Sequence, residues 1–294
     1  MLKLESTMFS PLLITQVNTE PSVYLDHWAL RRFSSDPGLA DRFVNLLVAA
    51  GGMLEVSFLN ILEFAEVTDT GQVAAAECLL DRLTPGHIGF IDGIPKTVIE
   101  NENRFLRRER ELRDPHVDYR LLQVFATHKG RSLKPLSFQG FLTNQIPQIQ
   151  SMCRTFMAEL DPTLSAAREK AKTPEFAKIL RKTPKGHPEV QYLTRYINIE
   201  ALRCVVREGI QMTSNQWRDI FHMIVPMAYC KFVILDKTWA SVGHQVQRRL
   251  RKRGHKVGMA EVFSERTLPD FWKALEREAV IIKEPETAQR TLPN

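Results

Sequence analysis

The sequence predicts an α/β fold: a three-layer α/β/α sandwich with a mostly parallel central sheet and a helical insertion. Two observations lead to this prediction. Short apolar runs alternate with amphipathic helical stretches near both ends of the chain, and the strongest run, residues 231–235, is uninterrupted, as in a buried parallel strand. A strand–helix–strand order favours parallel strands joined by right-handed crossovers.

Three strands are predicted in the first hundred residues, at 22–26, 53–57 and 87–91. A helix over about 38–50 follows the first strand and ends at a Gly-Gly pair, since glycine suits the left-handed cap position. Ser57 ends the second strand and can cap the helix that follows it. A further helix is expected over about 71–83, closed by a Thr-Pro-Gly turn.

The middle of the chain, residues 96–210, is more polar and helical in pattern. We expect it to form a helical insertion or cap between the third and fourth strands. Residues 1–95 and 211–283 would then make up the α/β domain, and the polar residues 284–294 a flexible tail.

The last part of the chain returns to α/β order. The fourth strand, at 231–235, precedes a basic helix over about 237–253. A fifth strand is expected within 255–263, and a final helix over about 269–279 begins after a proline.

Composition restricts the classes of partner. The net charge of +6 fits a polyanionic partner, and five of the six residues from Arg248 to Arg253 are positive. The four cysteines are scattered without metal-ligand spacing, which argues against a zinc site or a disulfide framework and favours a cytoplasmic protein. The N-terminal segment is a poor signal peptide, and no stretch approaches the ~20 apolar residues of a membrane span.

Four acidic residues lie where a predicted strand ends or where a helix passes such an end. Asp26 ends the first strand and Asp236 the fourth. Glu63 lies about one and a half turns into the helix after the second strand, and Asp219 precedes Asp236 by 17 residues. If strands one and four are neighbours, as in a doubly wound sheet, all four side chains converge at one edge. Carboxylates gathered there repel one another and need a cation.

This arrangement resembles the PIN-domain nucleases. In that family an aspartate ends the first strand, an acid lies on the helix after the second, and two more acids flank the fourth. Residues 23–26 (Val-Tyr-Leu-Asp) look like the first motif, and Ser57 with Glu63 like the second. Residues 219–222 (Asp-Ile-Phe-His) and 234–237 (Ile-Leu-Asp-Lys) look like the last two.

The resemblance covers roughly residues 20–95 and 213–265 and leaves the helical insertion uncovered. It departs from the family pattern at His27, where Thr, Ser or Asn is commoner, and at Leu235, where Ser or Thr is common. These departures affect the hydrogen bonding around the acids and not the acids themselves.

The resemblance implies cleavage of RNA, or sometimes DNA, that depends on Mg²⁺ or Mn²⁺. Hard divalent cations take oxygen ligands, which agrees with a site made of carboxylates. We assign metal binding to Asp26, Asp219 and Asp236, and metal binding or water orientation to Glu63.

Simpler structural roles exist for several of these residues. A lone aspartate at a helix N-terminus is often only a cap, which applies to Asp26 and Asp236. His222 lies three residues after Asp219 on the same helical side, where it can contact a phosphate, hold a carboxylate or simply pack in the core. Asp92 is a secondary candidate as a fifth acid, or a turn residue before a glycine.

The basic helix after Asp236 allows two interpretations. Its charges can form a solvated surface, or they can follow the phosphate backbone of a nucleic acid. The second interpretation assigns nucleic-acid binding to Lys237, Arg248, Arg249, Arg251 and Lys252.

The sequence therefore favours a metal-dependent ribonuclease of PIN-like type. The alternative is a non-catalytic nucleic-acid-binding or scaffolding module with the same fold. No Gly-rich phosphate loop or Gly-x-Ser-x-Gly elbow is present, which argues against other α/β hydrolases. A toxin-like role, phage defence and RNA quality control stay open, and the insertion can shape substrate choice, form a homodimer or dock a protein regulator.

Overall fold

The computed structural model describes residues 1–5, 13–107, 114–129, 136–143, 192–210, 212–255 and 258–281, with single positions between 151 and 178. Its strands, numbered in chain order, are β1 (Leu2–Glu5), β2 (Leu13–Gln16), β3 (Ser22–Leu25), β4 (Met53–Ser57), β5 (Ile88–Ile91), β6 (Phe232–Ile234) and β7 (Glu261–Phe263).

The helices that can be bounded within the described ranges are α1 (His27–Ser35), α2 (Pro37–Ala49), α3 (Phe58–Glu66), α4 (Thr70–Leu83), α5 (Pro95–Leu106), α6 (Tyr119–Lys129), α7 (Thr194–Glu208), α8 (Ser214–Tyr229), α9 (Lys237–Lys252) and α10 (Leu268–Ile281). A short 3₁₀ helix, Glu265–Thr267, leads into α10.

The central sheet has five strands in the order β5-β4-β3-β6-β7, and every pair of neighbours is parallel. The first predicted strand, β3, therefore lies directly beside the fourth, β6, with Leu25 opposite Ile234. The predicted fold class is confirmed: a parallel sheet lies between helical layers. The four acids were expected to converge if these two strands were neighbours, and this condition is met.

Alternation along β3 shows how the two layers form. Val23 and Leu25 point into a core built largely from α1, α2, α4 and α10. Tyr24, between them, points into a second core, which α7, α8 and α9 dominate. Successive side chains of a strand face opposite sides of the sheet, so a strand that is apolar throughout must be covered on both faces.

The predicted helical insertion shares these cores in its described parts. Helices α5 and α7 contribute Val98 and Ile197 to the second core, and Phe125 of α6 joins the first. Glu102 of α5 is buried and accepts a hydrogen bond from the Tyr229 hydroxyl at 2.7 Å, which ties the insertion to α8. The predicted tail, 284–294, lies outside the described residues.

An antiparallel hairpin, β1 with β2, was not predicted from the sequence. Leu2 and Ile14 join the first core, and the Gln16 side chain accepts a hydrogen bond from the Phe90 backbone N–H at 2.7 Å. The hairpin strands, Leu-Lys-Leu-Glu and Leu-Ile-Thr-Gln, mix apolar and polar residues and lack the continuous apolar run of a buried central strand. In the part of the chain that the structure describes, no helix has the length and apolarity needed to cross a membrane.

A carboxyl group buried in β4 leads to a stability prediction. Burial raises the pKa of Glu55 to about 7, above the value of an unfolded chain. Between the pKa of Glu55 in the unfolded chain and its pKa in the folded protein, the folded protein binds more protons than the unfolded chain. The free energy of unfolding therefore falls as pH rises through this range. We expect Glu55→Gln to raise the free energy of unfolding by on the order of 1–3 kcal/mol near pH 8, with a smaller gain near pH 5.

Urea unfolding at both pH values measures this difference. Glu261→Gln is the matched control, since Glu261 is exposed on β7 and should change stability little at either pH. An equal effect of Glu55→Gln at the two pH values would contradict the assignment.

Candidate active site

Asp26 and Asp236 meet at the carboxyl edge of the sheet, where β3 and β6 end side by side. The Asp236 backbone N–H donates to Oδ2 of Asp26 at 2.7 Å, and the Asp26 N–H donates to the Ile234 carbonyl at 3.0 Å. Two residues that are 210 positions apart in the chain are thus in direct contact. Asp26 is buried and Asp236 half-buried.

Both aspartates also cap helices. Oδ1 of Asp26 accepts the Ala29 N–H at 3.0 Å at the start of α1, and Oδ1 of Asp236 accepts the Trp239 N–H at 2.9 Å at the start of α9. The capping role considered from the sequence is confirmed for both. Each carboxylate oxygen has more than one acceptor position, so a cap leaves the carboxylate able to bind a further group.

Glu63 reaches the same edge through a locally encoded helix start. Ser57 and Asn60 form a capping box at the beginning of α3, and Asn60 Nδ2 donates to the Leu25 carbonyl at 3.1 Å. This bond ties α3 to the end of β3. Glu63 follows Asn60 by about one turn, so its side chain lies over the strand ends.

A buried line of polar side chains connects Glu63 to the sheet. Oε2 of Glu63 lies 3.1 Å from Nε2 of His222, whose Nδ1 is hydrogen-bonded to the Tyr24 hydroxyl. The Tyr24 hydroxyl also lies 2.9 Å from Oγ of Ser57. His222, a secondary candidate from the sequence, is therefore a buried group that holds a carboxylate.

Asp219 enters from α8, the helix that also carries His222. The Trp239 side chain hydrogen-bonds its carboxylate, and its charge interacts with those of Asp236 and Glu63. Glu63, Asp26 and Asp219 therefore surround His222, and Asp236 lies against Asp26 at the same edge of the sheet. The acids lie close together because the strands that lead to them are neighbours: β4, β3 and β6 are consecutive in the sheet.

Burial and mutual repulsion set the protonation of the aspartates. Burial raises the pKa of Asp26 to about 8, and the neighbouring Asp236 charge adds to this effect. Burial also raises the pKa of Asp219, with repulsion from Asp236 and Glu63 acting in the same direction. Both shifts favour the protonated, neutral form of the carboxyl group, so a cation that bound here would have to displace a proton.

Glu63 and His222 are shifted in the opposite sense. Burial acts to raise the pKa of Glu63, but attraction to His222, His27 and Arg218 outweighs it and the pKa lies below its usual value. Burial acts to lower the pKa of His222, yet the charges of Glu63, Asp26 and Asp219 hold it above its usual value. The two groups favour a charged pair.

A cleft of about 530 Å³ opens beside this cluster. Two of the four acids, Glu63 and Asp219, line it, whereas Asp26 and Asp236 lie behind its wall. Its other lining residues are His27, Arg31, Glu66, Val67, Thr68, Asp69, Asn215 and Arg218.

The lining of the cleft has excess negative charge. Burial lowers the pKa of His27, which keeps this ring neutral at pH 7. The four carboxylates of the lining then face two guanidinium groups, which leaves a formal charge of −2. A phosphate-bearing ligand therefore meets net repulsion unless a cation accompanies it.

Of the residues that line the cleft, only Glu63 and Asp219 were predicted from the sequence as site residues; the basic residues His27, Arg31 and Arg218 were not. His27 is the departure from the family pattern, and its Nδ1 lies 3.5 Å from Oε2 of Glu63. Arg218 directly precedes Asp219, so its adjacency to a candidate acid was the available signal. No sequence pattern marks Arg31, because it reaches the cleft only through the direction in which α1 runs over the sheet.

The chemistry of the donor set suits a hard divalent cation, but the described side chains are not arranged to hold one. The candidate ligands Asp26, Asp219 and Asp236 offer carboxylate oxygens, which Mg²⁺ and Mn²⁺ prefer. Among the described residues, no group of three or more His, Cys, Asp or Glu side chains stands in an arrangement that could hold a metal ion.

Asp92 does not join the four acids. It ends β5, two strands and about 10 Å from β3, and its Oδ1 accepts the Ile94 N–H at 2.8 Å. Burial and the neighbouring Asp118 raise the pKa of Asp92 to about 7. The hydrogen bond from Ile94 agrees with the turn role considered for Asp92. The carboxylate that repels it is Asp118.

The basic run on α9 lies away from the acids. Lys237 is exposed directly after Asp236, but α9 returns along the sheet, so Arg248 lies about 18 Å and Lys252 about 24 Å further on. Arg249 is ion-paired with the buried Glu200 at 3.0 Å, and Arg251 is exposed. Nucleic-acid binding by residues 248–252 would engage the edge of the sheet opposite the cleft, whereas Lys237 lies at the acidic edge.

Comparison with known proteins does not place the chain in a family. No family model matches it, and no curated protein and no solved structure matches it.

Proposed function

We propose that the protein is a metal-dependent nuclease that hydrolyses RNA, with DNA as a second substrate class. The observation that carries this proposal is the adjacency of β3 and β6, which gathers Asp26, Glu63, Asp219 and Asp236 at one edge of a parallel sheet. Ligands of open α/β sheets bind at the carboxyl ends of the strands, where the strand order reverses. Here that position is between β3 and β6.

In this proposal Asp26, Asp219 and Asp236 hold Mg²⁺ or Mn²⁺. The ion would supply an activated water and neutralise charge at the scissile phosphate. The chain's own groups do the rest: Glu63 orients water or holds the ion, and His222 keeps Glu63 ionised and in place. The negative lining of the cleft excludes a bare phosphate, so substrate entry and cation binding are coupled.

A second candidate is a non-catalytic nucleic-acid-binding or protein-interaction module. The capping bonds of Asp26 and Asp236 favour it, because a purely structural role already explains both residues. It does not explain why Asp219 and Glu63 are placed beside them, since like charges in one site cost stability.

We place the activity in the cytoplasm, where RNA and Mg²⁺ are both present. Cys204 and Cys230 are buried free thiols, as expected in a reducing compartment. A toxin-like or defence-related role, with a regulatory protein partner or a second copy of the chain, is compatible with this activity.

A cleavage assay tests the proposal. We expect end-labelled single-stranded RNA to be cut in Mn²⁺ or Mg²⁺ and to stay intact when a chelator is added, and a parallel DNA substrate ranks the two classes. RNA that binds but stays intact in both metals would favour the non-catalytic module. Cleavage that persists in chelator would exclude the assigned metal role.

A further inference from the structure

Arg218 is the most constrained cation in the cleft. Its Nη1 lies 2.8 Å from Oε2 of Glu66, and its Nη2 donates to Oδ1 of Asn215 at 2.8 Å. Its Nε is buried and makes no hydrogen bond to any described residue. A buried donor left without a partner needs an explanation, and a ligand in the cleft is one.

The partner of Arg218 is weakly held. The Arg218 side chain is only 16% exposed, whereas that of Glu66 is 57% exposed. An ion pair with a solvated carboxylate contributes little, so another anion can replace Glu66 at small cost. Asn215, one turn earlier on α8, keeps the guanidinium oriented while its partner changes.

The position of Arg218 suits a phosphodiester group. It lies one residue before Asp219 and lines the same cleft as Glu63 and Arg31. Guanidinium groups bind phosphate oxygens through charge-assisted N–H bonds, and Oε2 of Glu66 accepts one such bond from Nη1 of Arg218.

We propose that Arg218 positions the phosphate of a single-stranded RNA in the cleft and that Glu66 is a displaceable substitute for that phosphate. The proposal rests on the proposed function, because it assigns the cleft an RNA substrate. It makes Glu66 a brake on binding: the carboxylate must leave Arg218 before a phosphate can take its place. Arg31, exposed on α1, is the second cation that faces the incoming backbone.

A purely structural role for this ion pair predicts a different pattern. If Arg218 and Glu66 only tie α8 to α3, removing either one should weaken the same contact. Both substitutions would then lower stability and change RNA binding in the same direction. The displacement proposal requires opposite changes in RNA affinity.

The test measures binding of single-stranded RNA to the full chain by fluorescence anisotropy, in Ca²⁺ as an oxygen-preferring cation, with a gel to verify that the RNA stays intact. We expect Arg218→Gln to weaken binding about tenfold or more, the effect of losing a charge-assisted hydrogen bond. We expect Glu66→Gln to tighten binding by up to about fivefold, the equivalent of one exposed ion pair.

Arg32→Gln and Glu265→Gln form the matched control pair. These residues make an exposed ion pair at the far side of α1 that does not line the cleft, and neither change should alter RNA affinity. Weaker binding by both Arg218→Gln and Glu66→Gln, no change in either, or no RNA binding by the wild-type chain would overturn the proposal. Opposite affinity changes without Mn²⁺-dependent cleavage would retain the phosphate site and end only the nuclease assignment.

Discussion

Replacing Asp26 or Asp236 by asparagine is expected to reduce Mn²⁺-dependent RNA cleavage by on the order of 10²-fold or more, the scale of losing one charge-stabilising group at a reacting centre. Asparagine keeps the side-chain oxygen and caps helices as well as aspartate does, so α1 and α9 should still start at the same residues. Asp236→Asn thus removes an ionisable carboxylate from the proposed ion site with little change in shape, whereas Asp26→Asn also places an amide NH₂ against the Asp236 N–H that Oδ2 of Asp26 accepts. Single-turnover cleavage and circular dichroism measure the two effects.

Asp36→Asn is the matched control for this experiment. Asp36 caps α2 through the same kind of bond, accepting the Gly38 N–H at 2.9 Å, but it is exposed and does not line the cleft. We expect this variant to cleave at the wild-type rate. Unchanged cleavage by both the Asp26→Asn and the Asp236→Asn variants would show that the strand-end aspartates serve only as caps.

Removing the buried imidazole should have the largest effect on stability. We expect His222→Ala to lower the free energy of unfolding by about 3–5 kcal/mol, the usual cost of breaking a buried ion pair. The substitution leaves the Glu63 carboxylate without its nearest cation and removes one partner of the Tyr24 hydroxyl. Urea unfolding monitored by tryptophan fluorescence measures the loss.

Two comparison variants separate the ion pair from the volume lost. His222→Gln retains polar atoms at the site and should cost less than His222→Ala. His244→Ala removes an exposed imidazole from α9 and should change stability by about 0.5 kcal/mol or less. A loss below about 1 kcal/mol for His222→Ala would contradict the proposed role of His222 in holding Glu63.

The sheet could be predicted because its strands are apolar on both faces. The runs at 22–26, 53–57, 87–91 and 231–235 have no polar face to orient toward water, which requires a parallel sheet between two layers. The convergence of the four acids then followed from a single assumption about strand order. The structure confirms that assumption through the pairing of Leu25 with Ile234.

The sequence could not show which polar groups meet across layers. The line from Ser57 through Tyr24 and His222 to Glu63 joins two strands and two helices, and His222 comes from a distant part of the chain. Hydrophobic periodicity reports which side of an element is buried and not which residue lies opposite. For this reason His222 was left between a packing role and a contact with a carboxylate.

The ion-pair partners of the basic run could not be predicted from the sequence for a related reason. Separation in sequence is small between Asp236 and Arg248, but a helix converts it into about 18 Å of axial rise. Arg249 was assigned to nucleic acid from charge alone, whereas its guanidinium is paired with Glu200 of α7. A count of positive residues in the sequence does not show which of them form ion pairs with acids from a distant segment.

The bond from the Asp236 N–H to Asp26 Oδ2 also means that the acidic site is completed late in the synthesis of the protein. Until residues 232–236 leave the ribosome, β3 has only β4 as a neighbour and its other edge is unpaired. A nascent chain that stops just short of this point carries Asp26, Glu63 and Asp219 but lacks Asp236. If the protein is a nuclease, incomplete chains are inactive, and activity begins only when β6 closes the sheet.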